Sequence, residues 1–392
     1  MGDVSVKKRS WNELTAYHAR LRGCLLGGAI GDALGNPVEF LSLAEIRAKY
    51  GENGVTGLVA DDQGVIGRVT DDTQMTLFTA SGWLSAYTRA KARGIGGAEG
   101  AIVRDAYLCW LETQTEPAPP PHQGQRHRTG WLREEPWLYA RRAPGNACLT
   151  GLQQTHTPRL NDPLDGRPGP VNPHSKGCGT VMRSAPFGFT DRDAKAAFEA
   201  AAHCAQITHG HPTGYYAAGA FAALIHHLLG GVSPAAAVLL TLDLLARYPG
   251  HDETSTALRA AYDLATEGGE ATAEKLQSLG AGWVAEEALA IGVYAALATT
   301  QQQTFYVDQQ GTHCHPNPPR TPIEAAFLLS VNHSGDSDST GSICGNLLGA
   351  QHGDVCLPPD WLQRIEGRTA ITRLADDIAA EVAPGEERRW IY

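Results

Sequence analysis

Residues 212–229 read PTGYYAAGAFAALIHHLL. Apolar residues return at three- and four-residue steps and cover most faces of the helix that this spacing predicts. A helix apolar nearly all round belongs inside a protein. Its most apolar part, residues 217–229, is broken by His226 and His227. It also falls short of the ~18 apolar residues that a membrane span needs. The helix is therefore expected at the centre of a bundle. The same spacing recurs on both sides, in 21–33, 73–92, 101–113, 194–205, 234–246, 254–266, 285–298, 323–331, 339–351 and 361–383. Alternating Val/Ile/Thr runs are scarce, and 55–66 reads as a loop or a short hairpin. The fold class expected is all-α, a bundle of many helices with buried central members.

Three irregular stretches, 115–130, 144–176 and 301–321, interrupt this pattern without a clean linker. The chain of 392 residues is read as one domain over 1–392, with a core at about 20–380 and loop insertions near 115–130 and 301–320. Apolar residues make up 42% and charged residues 19%, which suffices for a sizeable core. The formal charge of −10 and the lack of a Lys/Arg block argue against a nucleic-acid partner and against an anionic membrane surface. The opening MGDVSVKKRSWNELT has no apolar signal-peptide core. The eight cysteines form no C-x-x-C pair and read as reduced thiols. The setting expected is cytoplasmic. His313-Cys314-His315 fits no zinc spacing.

Five clusters carry chemistry. In Gly31-Asp32-Ala33-Leu34-Gly35, the glycines read as a turn that lets the backbone approach a ligand. Asp32 reads as a cap there, and Glu39 just beyond as an acid, a base or a solvated surface group. Thr70-Asp71-Asp72 opens a helix, where one Asp satisfies capping and the remaining oxygens suit Mg²⁺, Mn²⁺ or Ca²⁺. Asp336-Ser337-Asp338-Ser339-Thr340-Gly341 opens another. It starts like an EF-hand loop, but the twelfth position is Leu347 where that loop needs Glu. Two oxygen-rich helix starts far apart in sequence read as two halves of one metal centre. Ser175-Lys176-Gly177-Cys178-Gly179 offers a Gly-x-Gly turn whose N–H groups suit a phosphate, although it is neither a P-loop nor a Rossmann fingerprint. His209-Gly210-His211 reads as structural, as a metal pair or as a ligand contact.

In order, the segments GCLLGGAIGDALGNPVEF (23–40), GRVTDDTQMTLF (67–78), RRAPGNACLTGL (141–152), SKGCGTVMRSAPFG (175–188), THGHPTGYYAAGA (208–220), GWVAEEALA (282–290) and VNHSGDSDSTGSICGNLLGA (331–350) resemble the ADP-ribosylglycohydrolase family from about residue 22 to 379. The resemblance implies an orthogonal multi-helix bundle with a central two-metal cleft holding two Mg²⁺, with Mn²⁺ as a substitute. It implies Thr70, Asp71, Asp72, Asp336, Asp338 and Ser339 as ligands. It places Ser175, Gly177, Cys178, Gly179, Met182 and His209 along ADP-ribose, and Glu39, Asp336 and Asp338 as the catalytic carboxylates. Ser339, where some relatives carry Thr, leans toward the arginine-type hydrolases.

The activity so implied is Mg²⁺-dependent removal of mono-ADP-ribose from modified protein side chains, arginine foremost, through a metal-activated water and an oxocarbenium-like transition state. Which carboxylate is the base stays open. The partners implied are an ADP-ribosylated protein and the product ADP-ribose, and the chain is expected to act as a monomer. The alternatives are the same chemistry on serine-linked ADP-ribose, on O-acetyl-ADP-ribose or on ADP-ribosylated nucleic acid. An inactive ADP-ribose-binding or toxin-neutralising protein is a reading of another class.

Overall fold

The computed structural model describes residues 10–120, 130–301 and 321–383. The chain opening, the His313-Cys314-His315 triplet and most of the two expected insertions lie outside these residues. The described residues form fifteen α-helices: α1 (Trp11–Gly35), α2 (Leu43–Tyr50), α3 (Asp71–Arg93), α4 (Glu99–Thr115), α5 (Asn146–Leu152), α6 (Ala194–Ala205), α7 (Pro212–Leu229), α8 (Pro234–Leu245), α9 (Asp252–Thr266), α10 (Ala273–Gln277), α11 (Ala285–Gln301), α12 (Pro322–Val331), α13 (Ser337–His352), α14 (Pro359–Arg364) and α15 (Arg368–Val382). Two isolated bridges, Ala60 with Ile66 and Gly177 with Val284, are the only β pairing among them. The fold is all-α, as its spacing predicts. None of these helices is long and apolar enough to cross a membrane.

The helix α7 is central. Fifteen of its residues are buried, and it packs against α6, α8, α11 and α13. Pro212 opens it, where a missing N–H costs nothing, and the His211 ring accepts from the Thr213 N–H. The bundle's tightest contact lies elsewhere, between α1 and α13. Gly23, Gly27, Gly31 and Gly35 recur at four-residue steps and form a stripe down one face of α1. Gly341, Gly345 and Gly349 do the same on α13. A Cβ on Gly31 would lie 1.9 Å from the Gly341 carbonyl oxygen, one on Gly345 2.0 Å from that of Gly27, and one on Gly349 1.8 Å from that of Gly23. Rising residue numbers on one helix meet falling numbers on the other, so the pair is antiparallel and backbone lies on backbone. Asn346 seals the seam by donating from Nδ2 to the Cys24 carbonyl at 2.7 Å.

This corrects the reading of 31–35 as a ligand-facing turn. The helix continues through Gly35, and its glycines admit another helix. The seam also sets the location of the site. Gly35 sits against Ser337 and Asp338, so the C-terminal end of α1 arrives at the N-terminal end of α13. The helix starts earlier than its apolar spacing indicates because Ser10 and Glu13 form a capping box. The 361–383 segment is two helices, divided near Gly367, whose φ of 70° ends the regular backbone.

Candidate active site

Asp32, on the last turn of α1, has no exposed surface. Its carboxylate accepts from the Thr70 N–H at 2.9 Å, from the Thr73 N–H at 3.1 Å and from the Thr73 hydroxyl. One helix therefore helps to cap another: Asp32 and the Thr70 hydroxyl, which accepts from the Asp72 N–H at 3.3 Å, fix the N-terminus of α3, and the carboxylates of Asp71 and Asp72 are not needed as its caps. From the outer side, the Asp71 N–H donates to the Arg142 carbonyl at 3.3 Å. The Arg142 guanidinium holds the Val69 carbonyl and pairs with Glu366.

The N-terminus of α13 supplies the second half. Oxygens of Glu39, Asp336 and Asp338 lie within 4.8 Å of one another. None of Thr70, Asp71, Asp72, Asp336, Asp338 and Ser339 is more than 5% exposed. Burial, and then the charge of Asp338, push Asp71, Asp72 and Asp336 well above the usual carboxylate range. The same causes push Asp32 up to about 7 and Glu39 up to about 11. Two helix N-termini ease this repulsion only in part. No basic side chain among the described residues forms an ion pair with any of these carboxylates. Asp72 Oδ2 is buried with no hydrogen-bond partner. Buried carboxylates left unpaired are costly, and an all-oxygen donor set suits a hard divalent cation. The residues present therefore fit the metal that the carboxylate pattern suggests.

The third wall is the turn at 175–179. The Cys178 N–H donates to the Trp283 carbonyl at 3.1 Å, and the Ala285 N–H to the Lys176 carbonyl at 2.8 Å, which pins the turn to the start of α11. The Cys178 thiol donates to Asp336 Oδ2 at 2.7 Å. The Ser339 hydroxyl donates to Met182 Sδ at 3.9 Å, and the Thr76 hydroxyl to the Met182 carbonyl at 3.2 Å. Met182 thus touches both helix starts. His209 is 2% exposed and lies under the turn, where a Cβ on Gly177 or Gly179 would meet its Nε2 at 3.4 Å. The Ser175 N–H bonds to the Asn172 carbonyl at 2.9 Å, and its own carbonyl accepts from the His211 N–H.

The segments read separately along the chain are therefore neighbours in space. Several further residues matter that the sequence reading did not single out. Phe40 follows Glu39 with φ of 68°, is 68% exposed and stacks on the 42% exposed Trp283 at 5.4 Å between ring centroids. Arg183, Cys148 and Thr208 lie beneath the turn. Arg183 was visible as the charge that ends an otherwise apolar run, Val181-Met182; the aromatic pair has no signature in spacing.

The ADP-ribosylglycohydrolase family profile matches residues 13–388, and the chain belongs to that family. The family is one of metal-dependent glycohydrolases acting on ADP-ribose linkages. The chain is 24% identical over 357 residues to the ADP-ribosyl-[dinitrogen reductase] glycohydrolase of Rhodospirillum rubrum, covering 90% of this chain and 92% of that one. It is 23% identical over 360 residues to the ADP-ribosylarginine hydrolase Tri1 of Pseudomonas putida (strain GB-1), covering 92% and 77%. A solved chain described as an ADP-ribosylglycohydrolase-related protein complex shares the fold, with a TM-score of 0.56 at 21% identity, covering 94% of this chain and 99% of that one.

Proposed function

We propose that this protein removes mono-ADP-ribose from modified arginine side chains, and that a pair of Mg²⁺ ions is required. The observation that carries this reading is the gathering of Glu39, Asp336 and Asp338 at the start of α13, with the charge of Asp338 felt by the buried Asp71 and Asp72 at the start of α3 and Asp72 Oδ2 left without a partner. Thr70, Asp71, Asp72, Asp336, Asp338 and Ser339 would hold the ions. Bound there, divalent cations supply positive charge for ribose hydroxyl oxygens and acidify water. Two such ions match the four ligand carboxylates in charge, so an anionic diphosphate is tolerated nearby.

The reaction breaks the bond between ribose C1 and a guanidinium nitrogen. The oxygen of water joins C1, one water proton leaves on the nitrogen, and the other stays in the new hydroxyl. Charge develops on the ribose ring in an oxocarbenium-like transition state. Glu39, Asp336 and Asp338 surround one small volume, which supports a role for one of them in taking the water proton or steadying the ring. Ser175, Gly177, Cys178, Gly179, Met182 and His209 would line the rest of ADP-ribose and orient it. Ser339 at the last ligand position and the name of the Pseudomonas relative support arginine over serine. The exposed Phe40–Trp283 stack also supports it, because a planar guanidinium packs well on an aromatic face. The same reading carries the expectations of one domain, a monomer and a cytoplasmic setting.

The test pairs a protein mono-ADP-ribosylated on arginine with a serine-modified peptide, each with Mg²⁺ and after thorough chelation. Release from arginine only, lost on chelation and restored by Mg²⁺ or Mn²⁺, is the expected result. Release from serine only would overturn the linkage. Undiminished release after chelation would overturn the metal requirement.

A further inference from the structure

Arg183 has no exposed surface and no carboxylate partner among the described residues. Its guanidinium lies over the Tyr107 ring at 4.5 Å and donates to Thr208 Oγ1 at 2.6 Å, Cys148 Sγ at 3.4 Å and Met75 Sδ at 3.7 Å. Nε has no partner at all. A buried cation met only by neutral groups costs several kcal/mol unless something offsets its charge. Directly above it is the turn. Cys148 Sγ, which Arg183 touches, would lie 2.7 Å from a Cβ on Gly179. The cation that belongs to the turn itself, Lys176, is engaged by Glu253 and Glu286.

Thr208 links this charge to His209. Its Oγ1 accepts a hydrogen bond from the guanidinium and lies 2.7 Å from His209 Nδ1. The hydroxyl has one proton to give. The other acceptor in reach, the Ala205 carbonyl, is 3.4 Å away, and a hydroxyl polarised by a cation is a stronger donor toward the nearer ring nitrogen. Nδ1 is then the acceptor, and the ring proton sits on Nε2. Burial and then the Arg183 charge hold His209 down at about 3, so the ring is neutral. No protein group among the described residues takes the Nε2 hydrogen bond.

We propose that Arg183 is the buried counter-charge for an anionic group bound at the 175–179 turn, and that through Thr208 it holds His209 in the tautomer that donates from Nε2 toward that group. Both Arg183 and Thr208 are positioning residues. The ligand chemistry, a diphosphate, rests on the function proposed above. The orientation of the ring does not.

The test uses the full chain with ¹⁵N-labelled histidine, read by long-range proton–nitrogen correlation, together with calorimetric binding of ADP-ribose and of adenosine. The His209 signals are assigned by their loss in His209→Gln. In the unmodified protein the proton is expected on Nε2. Thr208→Val should move the ring to the other tautomer or a mixture. It should weaken ADP-ribose roughly tenfold, as loss of one buried hydrogen bond does, and leave adenosine unchanged. Thr208→Ser should restore both readouts. Arg183→Met should weaken ADP-ribose and spare adenosine, and Arg183→Gln, also neutral but able to donate to Thr208, replaces it should that variant not fold. A proton found on Nδ1 in the unmodified protein, or ADP-ribose and adenosine weakened equally in Thr208→Val, would overturn the proposal. If the unmodified protein binds no ADP-ribose, the functional reading and the diphosphate fail together, and the ring signals alone judge the role of Thr208.

Discussion

At Asp72 a carboxylate oxygen lies buried with nothing to bind, a few side chains away from other buried carboxylates. A residue kept for stability would not be left this way, and the two kinds of measurement should therefore separate. In Asp72→Asn, turnover should fall by a factor of about 10³ or more, since a charged ligand is lost from the centre. The same variant, freed of metal, should be more stable than the unmodified protein by about 1–2 kcal/mol, because one buried like charge has gone. Denaturant unfolding in chelator against turnover in Mg²⁺ checks both signs. A loss in both would mean that Asp72 is structural. The oxygen donors were legible in the sequence because Thr70-Asp71-Asp72 and Asp336-Ser337-Asp338-Ser339 hold more helix-start oxygens than capping consumes. Asp32 was also legible as a cap, although the helix that it caps is α3 and not its own. Cys148, Arg183 and Thr208 were not legible as a group, since only the folded backbone brings residues so far apart in the chain under one turn.

Among the elements, the α1–α13 seam decides most. It lays one backbone on another and ends where Asp32, Glu39, Asp336 and Asp338 meet. In Gly349→Ala the new methyl would lie 1.8 Å from the Gly23 carbonyl oxygen and 2.1 Å from its carbon, both backbone atoms that cannot turn aside. The helices must part, at a cost of about 3 kcal/mol or more. Because the seam carries the Asp336–Ser339 half of the site and, through Asp32, fixes the start of α3, metal affinity should fall with stability. Urea midpoints and Mg²⁺ titration of this variant check the pair. An unchanged midpoint would mean that the helices are not in backbone contact. The glycines were visible, but a glycine serves a turn as well as a close helix contact. Only the match of two four-residue ladders far apart in the chain distinguishes the two roles. Strongly apolar elements were read to the residue, as in α6 and α7. Short ones escaped: α2 declares itself through the Ser42–Glu45 capping box and not through apolar spacing, and α5 has a single turn or two on which any period could be seen.

Across the whole molecule, a bundle of buried helices brings together the segments near residues 32–39, 70–72, 175–182, 209 and 336–339 that are proposed to carry the chemistry. The all-α class followed from the scarcity of alternating runs. The pairing of the two oxygen-rich helix starts was legible from their donors, but the assembly of the other segments around them was legible only through resemblance, since no local pattern states which loops will meet. All of this rests on the two helix starts forming one metal centre. The most direct measurement is anomalous scattering from crystals of the full chain equilibrated with Mn²⁺. Two ions are expected, both held between Thr70-Asp71-Asp72 and Asp336-Asp338-Ser339, and both lost in Asp338→Ala. Crystals that bind Mn²⁺ elsewhere, or not at all, while the enzyme in solution turns over unchanged in chelator, would contradict it.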